Sequence, residues 1–350
     1  MKAVKAYRKA AEQNDAEAQF RLGECFERGQ GVAQDEAEAV KWYRRAAEQN
    51  HAEAQYNLGS CYYEGRGVAQ DEILAVRWWR KAAEQNYPQA QYILGLCYYE
   101  GQGVKKDYAE AVKWYRQAAE QNLAEAQNSL GACCERGEGI AQDPFAAVEW
   151  YRKAAEQNLP DAQFSLGLCY AHAQGVPKDY VEAVNWYRQA AEQNDAGAQS
   201  NLGLCYANGQ GVEKDYVEAV NWYRKAAEQN LAEAQTGLGR CYHEGQGVAK
   251  DSTEAVRWYR KAAEQNYGAA QYNLGFCYAS GEGVAKDYVK AYKWWLLAAV
   301  QGLEDAKRGV AKLRGRMSPE QIAAARQLAQ DFQPSAVPAA EGDGSGVDIA

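Results

Sequence analysis

Apolar residues recur at helical spacing in two stretches of every 36-residue segment of the chain. In the segment 52–86, the first stretch places apolar or small residues at i, i+4, i+7, i+8 and i+11, namely Ala54, Leu58, Cys61, Tyr62 and Gly65. The second stretch has a similar apolar face, formed by Ala75, Val76, Trp79, Ala82 and Ala83. Each segment therefore predicts two amphipathic helices joined by a loop.

These segments form an array. Eight of the cysteines, starting at Cys25, and eight of the tryptophans, starting at Trp42, recur 36 residues apart. They define eight full units, at residues 15–50, 51–86, 87–122, 123–158, 159–194, 195–230, 231–266 and 267–302. Residues 1–14 match the second half of a unit, and residues 303–313 begin another first half. Because a lone hairpin cannot bury its apolar face, we expect an all-α, right-handed α/α solenoid over residues 1–317.

Polar residues mark the helix ends. The Asp that precedes each second helix predicts an N-cap. In five units a Glu follows three residues later and predicts a capping box; these Asp residues are Asp35, Asp107, Asp179, Asp215 and Asp251. The Asn that closes each second helix, such as Asn50, predicts a left-handed C-cap. The mid-helix Gly23 and its equivalents predict a close approach between the two helices of a hairpin.

The C-terminal end differs from the repeats. Leu296, Leu297 and Val300 replace polar residues of the other units, so we expect another element to cover them. A capping-box sequence beginning at Ser318, followed by apolar residues at helical spacing, predicts a C-terminal capping helix at 318–332. Residues 333–350 have the composition of a disordered tail.

The N-terminal end bears on localisation. No apolar signal-peptide core is present in the first residues, and the cysteines have no evident pairing, so the chain as written predicts a cytoplasmic protein. The chain also begins in the middle of a unit. We therefore hypothesise that Met1 is not the native start; a periplasmic or secreted location would follow if a signal peptide has been removed.

Charge and hydropathy exclude two classes of partner. The chain has 39 Lys and Arg against 47 Asp and Glu, a net charge of −8. It therefore has no general attraction for nucleic acid or for an anionic membrane surface. Its apolar runs are much shorter than the roughly 18 residues that a membrane span requires. We expect a monomer that neither binds nucleic acid nor inserts into a membrane.

The repeat resembles a known family. The pattern A-x-A-x-x-x-L-G-x-x-Y-x-x-G-x-G-V-x-x-D…A-V-x-W-Y-x-x-A-A is similar to the Sel1-like repeat, a relative of the tetratricopeptide repeat, over residues 1–313. Leu22, Gly23, Gly31 and Asp35 recur in all eight units, whereas Ala173 replaces the first loop glycine of the fifth unit. The resemblance implies a scaffold or adaptor that holds partner proteins on its concave face. Some relatives act in secretory quality control, envelope or polysaccharide assembly, or bacterium–host contact.

Candidate catalytic chemistry is sparse. One cysteine per unit cannot form a disulfide with its equivalent a repeat away, so buried apolar thiols are expected. Cys134, beside Cys133, is an exception for which a vicinal redox or metal site is an alternative. The histidines (His51, His172 and His243) occupy three different repeat positions and are interpreted as surface residues. We therefore predict no catalytic residues, no metal site and no cofactor.

Two recurring polar residues have competing interpretations. Arg44 and its equivalents could form a basic ladder, but the Glu four residues later favours a solvated face of mutually paired charges. Gln19 and its equivalents do not vary, and could bridge repeats or bind the backbone of a ligand. We favour the structural role, since a ligand contact would not need to recur eight times.

Variation between units points to a binding surface. Each repeat position is numbered here by its residue in the first full unit. Positions 20, 24 and 27 vary and lie i, i+4, i+7 on the first helix, which is expected to line the concave wall. The candidate protein-binding residues are Tyr56, Tyr63, Tyr92, Leu96, Tyr99, Leu168, Leu204, Arg240, His243 and Phe276. For position 20, packing against the neighbouring repeat is an equally weighted alternative.

Three functional hypotheses follow. The leading one is a non-enzymatic scaffold or adaptor that binds a peptide or protein segment in the concave groove. The second is a protein that binds or hydrolyses a cell-wall glycan or a β-lactam, for which the carboxylates to consider are Glu27, Glu64, Glu100 and Glu135. The third is a consensus-like repeat array with no evolved partner, suggested by the near identity of several units.

Overall fold

The fold is all-helical in a computed structural model that describes residues 2–335. Within that range there are 19 α-helices and no strands. The helices are α1 (Lys2–Glu12), α2 (Ala16–Arg28), α3 (Glu36–Glu48), α4 (Ala52–Glu64), α5 (Glu72–Glu84), α6 (Pro88–Glu100), α7 (Tyr108–Glu120), α8 (Ala124–Arg136), α9 (Pro144–Glu156), α10 (Pro160–His172), α11 (Tyr180–Glu192), α12 (Ala196–Asn208), α13 (Tyr216–Glu228), α14 (Ala232–Glu244), α15 (Ser252–Glu264), α16 (Gly268–Ser280), α17 (Tyr288–Val300), α18 (Glu304–Arg314) and α19 (Pro319–Gln330).

The helices divide into two compact units. The N-terminal unit comprises described residues up to Ala162 together with residues 174–176, and the C-terminal unit comprises residues 163–173 and the described residues from Pro177 onward. In each unit, a first helix packs against the following second helix, and that second helix packs against the first helix of the next hairpin. Each unit is therefore a solenoid stack of helical hairpins. None of the described helices has the length and apolar character that a membrane crossing requires.

A glycine in each first helix makes room for an aromatic ring of the second helix. A Cβ atom added to Gly95 would lie 2.6 Å from the ring of Tyr115, and one added to Gly59 would lie 2.6 Å from the ring of Trp79. Both rings are almost fully buried. The close approach predicted for the mid-helix glycine is thus confirmed, and it is the aromatic side chain that occupies the space.

The helix caps follow the polar pattern, with one correction. The Asp71 carboxylate accepts from the backbone N–H of Leu74 and caps α5, while Asn50 has the left-handed φ of 70°. The reciprocal half of the predicted capping box was wrong at Asp35. Its backbone N–H donates to the carbonyl of Phe26 in the preceding helix, and the Glu38 side chain instead pairs with Lys41. The Asp35 N–H, which was expected to donate to the Glu38 side chain, therefore donates to the Phe26 carbonyl of the first helix of the same hairpin.

The recurring glutamine ties adjacent hairpins together. Gln55 is 1% exposed; its Nε2 donates to the Ala47 carbonyl at 3.0 Å and to Asn50 Oδ1 at 3.2 Å. Its Oε1 accepts from Gln85 Nε2 at 2.7 Å. Because Ala47 and Asn50 belong to the preceding hairpin, each amide bridges two hairpins. Gln127 in the N-terminal unit and Gln199 in the C-terminal unit repeat the arrangement, which confirms the structural interpretation.

The C-terminal unit ends in α18, which packs on α17 as the other first helices pack on the second helix before them, and in α19, which does not follow the repeat. Helix α19 packs on α17, Ala325 is fully buried, and the rings of Trp294 and Phe332 lie 5.5 Å apart. Ser318 and Gln321 form a complete capping box at the start of α19. Beyond the helix, the Ser335 backbone N–H donates to the Glu264 carbonyl at 2.8 Å. Of the tail predicted at 333–350, residues from 336 onward lie outside the described residues.

Coverage of the apolar end of α17 is incomplete. Leu296 and Leu297 are half-buried and pack with the terminal core cluster. Val300, which was expected to be covered, is 87% exposed. It lies in the last turn of α17, and α19 leaves it open.

Candidate functional site

The candidate binding residues lie on first helices in both units. The N-terminal unit carries Tyr56 and Tyr63 on α4 and Tyr92, Leu96 and Tyr99 on α6. The C-terminal unit carries Leu168 on α10, Leu204 on α12, Arg240 and His243 on α14, and Phe276 on α16. We use the term first-helix surface for the side chains at repeat positions 24 and 27 of these helices. The candidate residues therefore form one group in each unit.

Position 20 is engaged in packing. Tyr92 is 9% exposed, and its ring lies 5.9 Å from that of Tyr115 on the second helix of the same hairpin. The half-buried Tyr56 lies 5.5 Å from the ring of Tyr87, which occupies the N-cap position of the next first helix. Phe20 stacks on His51, the equivalent cap residue, at 4.8 Å. The packing alternative thus accounts for the contacts of these rings, and Tyr92 has little surface left for a partner.

Position 27 contacts position 30 of the following hairpin in the N-terminal unit. Glu27 accepts from Arg66 at 2.5 Å. The Tyr63 hydroxyl donates to Gln102 Oε1 at 3.0 Å, and the Tyr99 hydroxyl donates to Glu138 Oε2 at 2.7 Å. These bonds hold the half-buried tyrosine rings in fixed orientations between two hairpins. The partners are 39 residues apart in sequence, so no helical periodicity reveals the pairing.

Position 24 provides exposed apolar side chains in the C-terminal unit. Leu204 is 40% exposed and Phe276 is 42% exposed. Arg240 occupies the same position on the helix between them and is also exposed. His243 lies edge-on to the Phe276 ring at 6.3 Å, and its Nε2 is 3.5 Å from Glu282 Oε2. Leu168 is half-buried beside a core cluster. Arg240, His243 and Phe276 thus form an amphipathic patch.

The carboxylates considered for hydrolysis are held by neighbouring side chains. Glu27 accepts from the Tyr43 hydroxyl at 2.6 Å, and Glu135 accepts from the Tyr151 hydroxyl at 2.7 Å. Glu64 forms an ion pair with Arg66. Burial raises the pKa of Glu100, partly offset by Lys106. Three of the four carboxylates therefore serve contacts between helices or loops, rather than converging on one cleft.

The cysteines and one histidine belong to the structure of the repeats. All nine thiols are buried, and burial raises the pKa of Cys97 and Cys133 to about 12, which keeps these two thiols protonated at neutral pH. His51, interpreted from sequence as a surface residue, caps α4 by accepting from the Ala54 N–H at 3.2 Å. Residues 2–335 contain no group of three or more His, Cys, Asp or Glu placed to hold a metal ion.

Two features of the surface were not predicted from the sequence: the bonding partner of the arginine at position 44 and the exposed apolar residues at position 37. The arginine at position 44 bonds a tyrosine 18 residues later instead of the glutamate of its own helix, as in Arg80 to the Tyr98 hydroxyl at 2.6 Å. A row of exposed apolar residues also occupies position 37, at the start of the second helices. Its members are Ile73, Phe145, Val181 and Val217. The recurrence of large apolar residues two positions after the capping Asp was the available signal for this row.

Comparison with known proteins identifies the repeat. The model of the Sel1 repeat matches residues 1–15, 16–51, 52–87, 88–123, 124–159, 160–195, 196–231, 232–267 and 268–303, a frame shifted by one residue from that drawn on the sequence. The crystal structure of a Sel1 repeat protein from Oxalobacter formigenes is 34% identical, with 88% of this chain and 89% of that chain covered and a TM-score of 0.66.

A second solved structure is a protective antigen present in uropathogenic Escherichia coli strains and displaying an SLR fold. It is 32% identical, with 93% of this chain and 85% of that chain covered and a TM-score of 0.51. A search of the curated proteins gives no match. The repeat model spans most of the chain, and both structures combine the same fold with substantial identity. The chain belongs to the Sel1 repeat family.

Proposed function

We propose that the chain is a non-enzymatic adaptor that binds a segment of a partner protein on its first-helix surface. The observation that carries the proposal is the exposure of Leu204 and Phe276, at 40% and 42%, at the same repeat position. Apolar side chains exposed at one position of helices in the same unit, with a charged group among them, are typical of a surface that binds another protein. Arg240, between them in the array, adds a charged group of the type enriched in binding hot spots.

The N-terminal unit supports the proposal in a different way. The hydroxyls of Tyr63 and Tyr99 are bonded to the next hairpin, so their rings lose little conformational freedom when a partner packs on them. Preorganised aromatic side chains bind with a smaller entropic cost than mobile ones. Leu96, half-buried on the same helix as Tyr99, provides an apolar neighbour at position 24.

The experiment is an affinity measurement with a partner captured from the source cells. Leu204→Ala with Phe276→Ala removes the anchors of the C-terminal unit, and Tyr63→Ala with Tyr99→Ala removes those of the N-terminal unit. We expect at least one double variant to bind about five- to thirtyfold more weakly per hot-spot residue removed. Phe145→Ala is the matched control, because Phe145 is 71% exposed on a second helix.

If both double variants bind the partner as tightly as wild type and keep their melting temperatures, the first-helix surface is not the binding site. A larger loss in Phe145→Ala would place the site on the second helices instead.

A further inference from the structure

The arginine at repeat position 44 bonds a phenol group in hairpin after hairpin. In the N-terminal unit, Arg44 donates to the Tyr62 hydroxyl and Arg80 to the Tyr98 hydroxyl, each at 2.6 Å. In the C-terminal unit, the pairs are Arg188 with Tyr206, Arg224 with Tyr242, and Arg260 with Tyr278, at 3.4, 3.2 and 3.1 Å. The phenol ring also lies near the guanidinium, 5.7 Å from Arg80 to the centre of the Tyr98 ring.

The pair at Arg116 is incomplete because residue 134, where the tyrosine would stand, is Cys134. This side chain is 2% exposed and has neither a phenol ring nor a phenol hydroxyl. Arg116 itself is exposed. Helix α7 of the N-terminal unit therefore carries an arginine without the phenol partner that Arg44 and Arg80 have.

A cavity of about 430 Å³ lies against this arginine. Ala109, Val112 and Ile140 contribute apolar surface, whereas Lys113, Arg116 and Glu120 contribute charged groups. The volume lies within the roughly 300–1,000 Å³ of ligand-binding clefts. This volume is larger than that of one phenol ring, so the cavity also has room for neighbouring atoms of a bound polypeptide.

We propose that this cavity binds a tyrosine side chain of a partner polypeptide, whose hydroxyl accepts a hydrogen bond from Arg116. The equivalent pairs in the same chain show the chemistry that suits the site: a phenol ring beside the guanidinium, with its oxygen as acceptor. The partner polypeptide supplies the phenol ring that this chain lacks because residue 134 is a cysteine. The site lies on α7 and the loop after α8 and is separate from the first-helix surface, so the two proposals can fail independently.

The test uses the intact chain with small probes. We expect p-cresol to bind with a Kd of about 1 mM, as suits a ligand of this size, and N-acetyltyrosinamide to bind at least as tightly. Toluene, which has the ring without the hydroxyl, should bind at least tenfold more weakly. Binding is followed by nuclear magnetic resonance of the Arg116 side-chain N–H group. Binding of acetate equal to that of p-cresol would identify a carboxylate site and overturn the phenol assignment.

Two variants make the assignment specific. Cys134→Tyr should give Arg116 the phenol partner that Arg44 and Arg80 have, and should weaken p-cresol binding at least tenfold with the melting temperature retained. Tyr98→Cys should open an equivalent cavity beside Arg80 and raise the number of p-cresol molecules bound from one to two. The proposal is overturned if p-cresol does not bind, binds Cys134→Tyr as well as wild type, or binds more tightly than N-acetyltyrosinamide. Arg116→Met should abolish the preference for p-cresol over toluene, and a retained preference would overturn the hydrogen bond.

Discussion

The Tyr99 hydroxyl donates a hydrogen bond to Glu138 Oε2 at 2.7 Å, joining two consecutive hairpins of the N-terminal unit. Burial, and then this negatively charged acceptor, raise the pKa of Tyr99 to about 12. Folding thus stabilises the protonated phenol. Its contribution to stability is complete below the unfolded pKa of about 10 and is lost as the pH rises through about 12.

We predict that Glu138→Gln lowers the pKa of Tyr99 toward 10, because the charge that opposes phenolate formation is gone. The measurement is an alkaline titration of the tyrosine ¹³Cζ resonances, assigned with Tyr99→Phe. Gln102→Glu is the matched control. In the wild-type chain the Tyr63 hydroxyl donates to the neutral amide of Gln102, so the variant places a charge beside this hydroxyl and should raise the pKa of Tyr63. A Tyr99 titration unchanged by Glu138→Gln would mean that the carboxylate does not influence it.

Gly95→Ala should destabilise the protein, although alanine is the better helix former by about 1 kcal/mol. The added Cβ would lie 2.6 Å from the buried ring of Tyr115, and such overpacking costs about 1–3 kcal/mol. Urea unfolding monitored by circular dichroism provides the measurement. Gly315→Ala is the control, since the nearest atom to its added Cβ is 3.9 Å away. Stabilisation by Gly95→Ala would contradict the observed packing.

Ala173→Gly should stabilise the protein by about 1 kcal/mol. Ala173 has a φ of 60°, the left-handed conformation that glycine adopts at the equivalent positions. The loop keeps its shape, and the alanine carries the strain. The reverse change at Gly65, where an added Cβ meets its nearest atom at an ordinary 3.4 Å, should cost a similar amount. Melting curves of the two variants that shift in the same direction would refute this account.

Removing α19 should lower the melting temperature and expose apolar surface. A chain that ends at Met317 loses the contact of Phe332 with Trp294, which is 6% exposed. We expect a loss of at least about 2 kcal/mol from uncovering such side chains, together with increased binding of an apolar dye. A chain that ends at Ser335 retains α19 and serves as the control. Equal melting of the two truncated chains would show that α19 does not protect the core.

Much of the fold could be predicted because its determinants are local. The apolar spacing around Leu58, the capping role of Asp71 and the left-handed Asn50 all depend on neighbours within a few residues. The bridging role of Gln55 was accessible for another reason: a residue present in every unit is expected to serve the contact that every unit makes.

The remaining features depend on how one hairpin sits on the next. The bond from Arg80 to Tyr98 spans 18 residues, and that from Tyr63 to Gln102 spans 39. Neither spacing corresponds to a helix or strand period, so local periodicity favoured a glutamate partner for the arginine and a free surface for the tyrosine. The exposure of Val300 likewise depends on where α19 ends its contact with α17.

The bonds between positions 27 and 30 have a consequence for how the N-terminal unit assembles. Its hairpins are so alike that their cores could join in the wrong order, yet successive junctions use an ion pair at Glu27 and Arg66, a neutral pair at Tyr63 and Gln102, and a phenol–carboxylate pair at Tyr99 and Glu138. A slip of one repeat would break the bond between Arg66 and Glu27 and leave Arg66 with only the carboxylate of Glu64 in its own hairpin. Variation at positions 27 and 30 thus gives each of these junctions a pair of its own, which favours the native register over a shifted one.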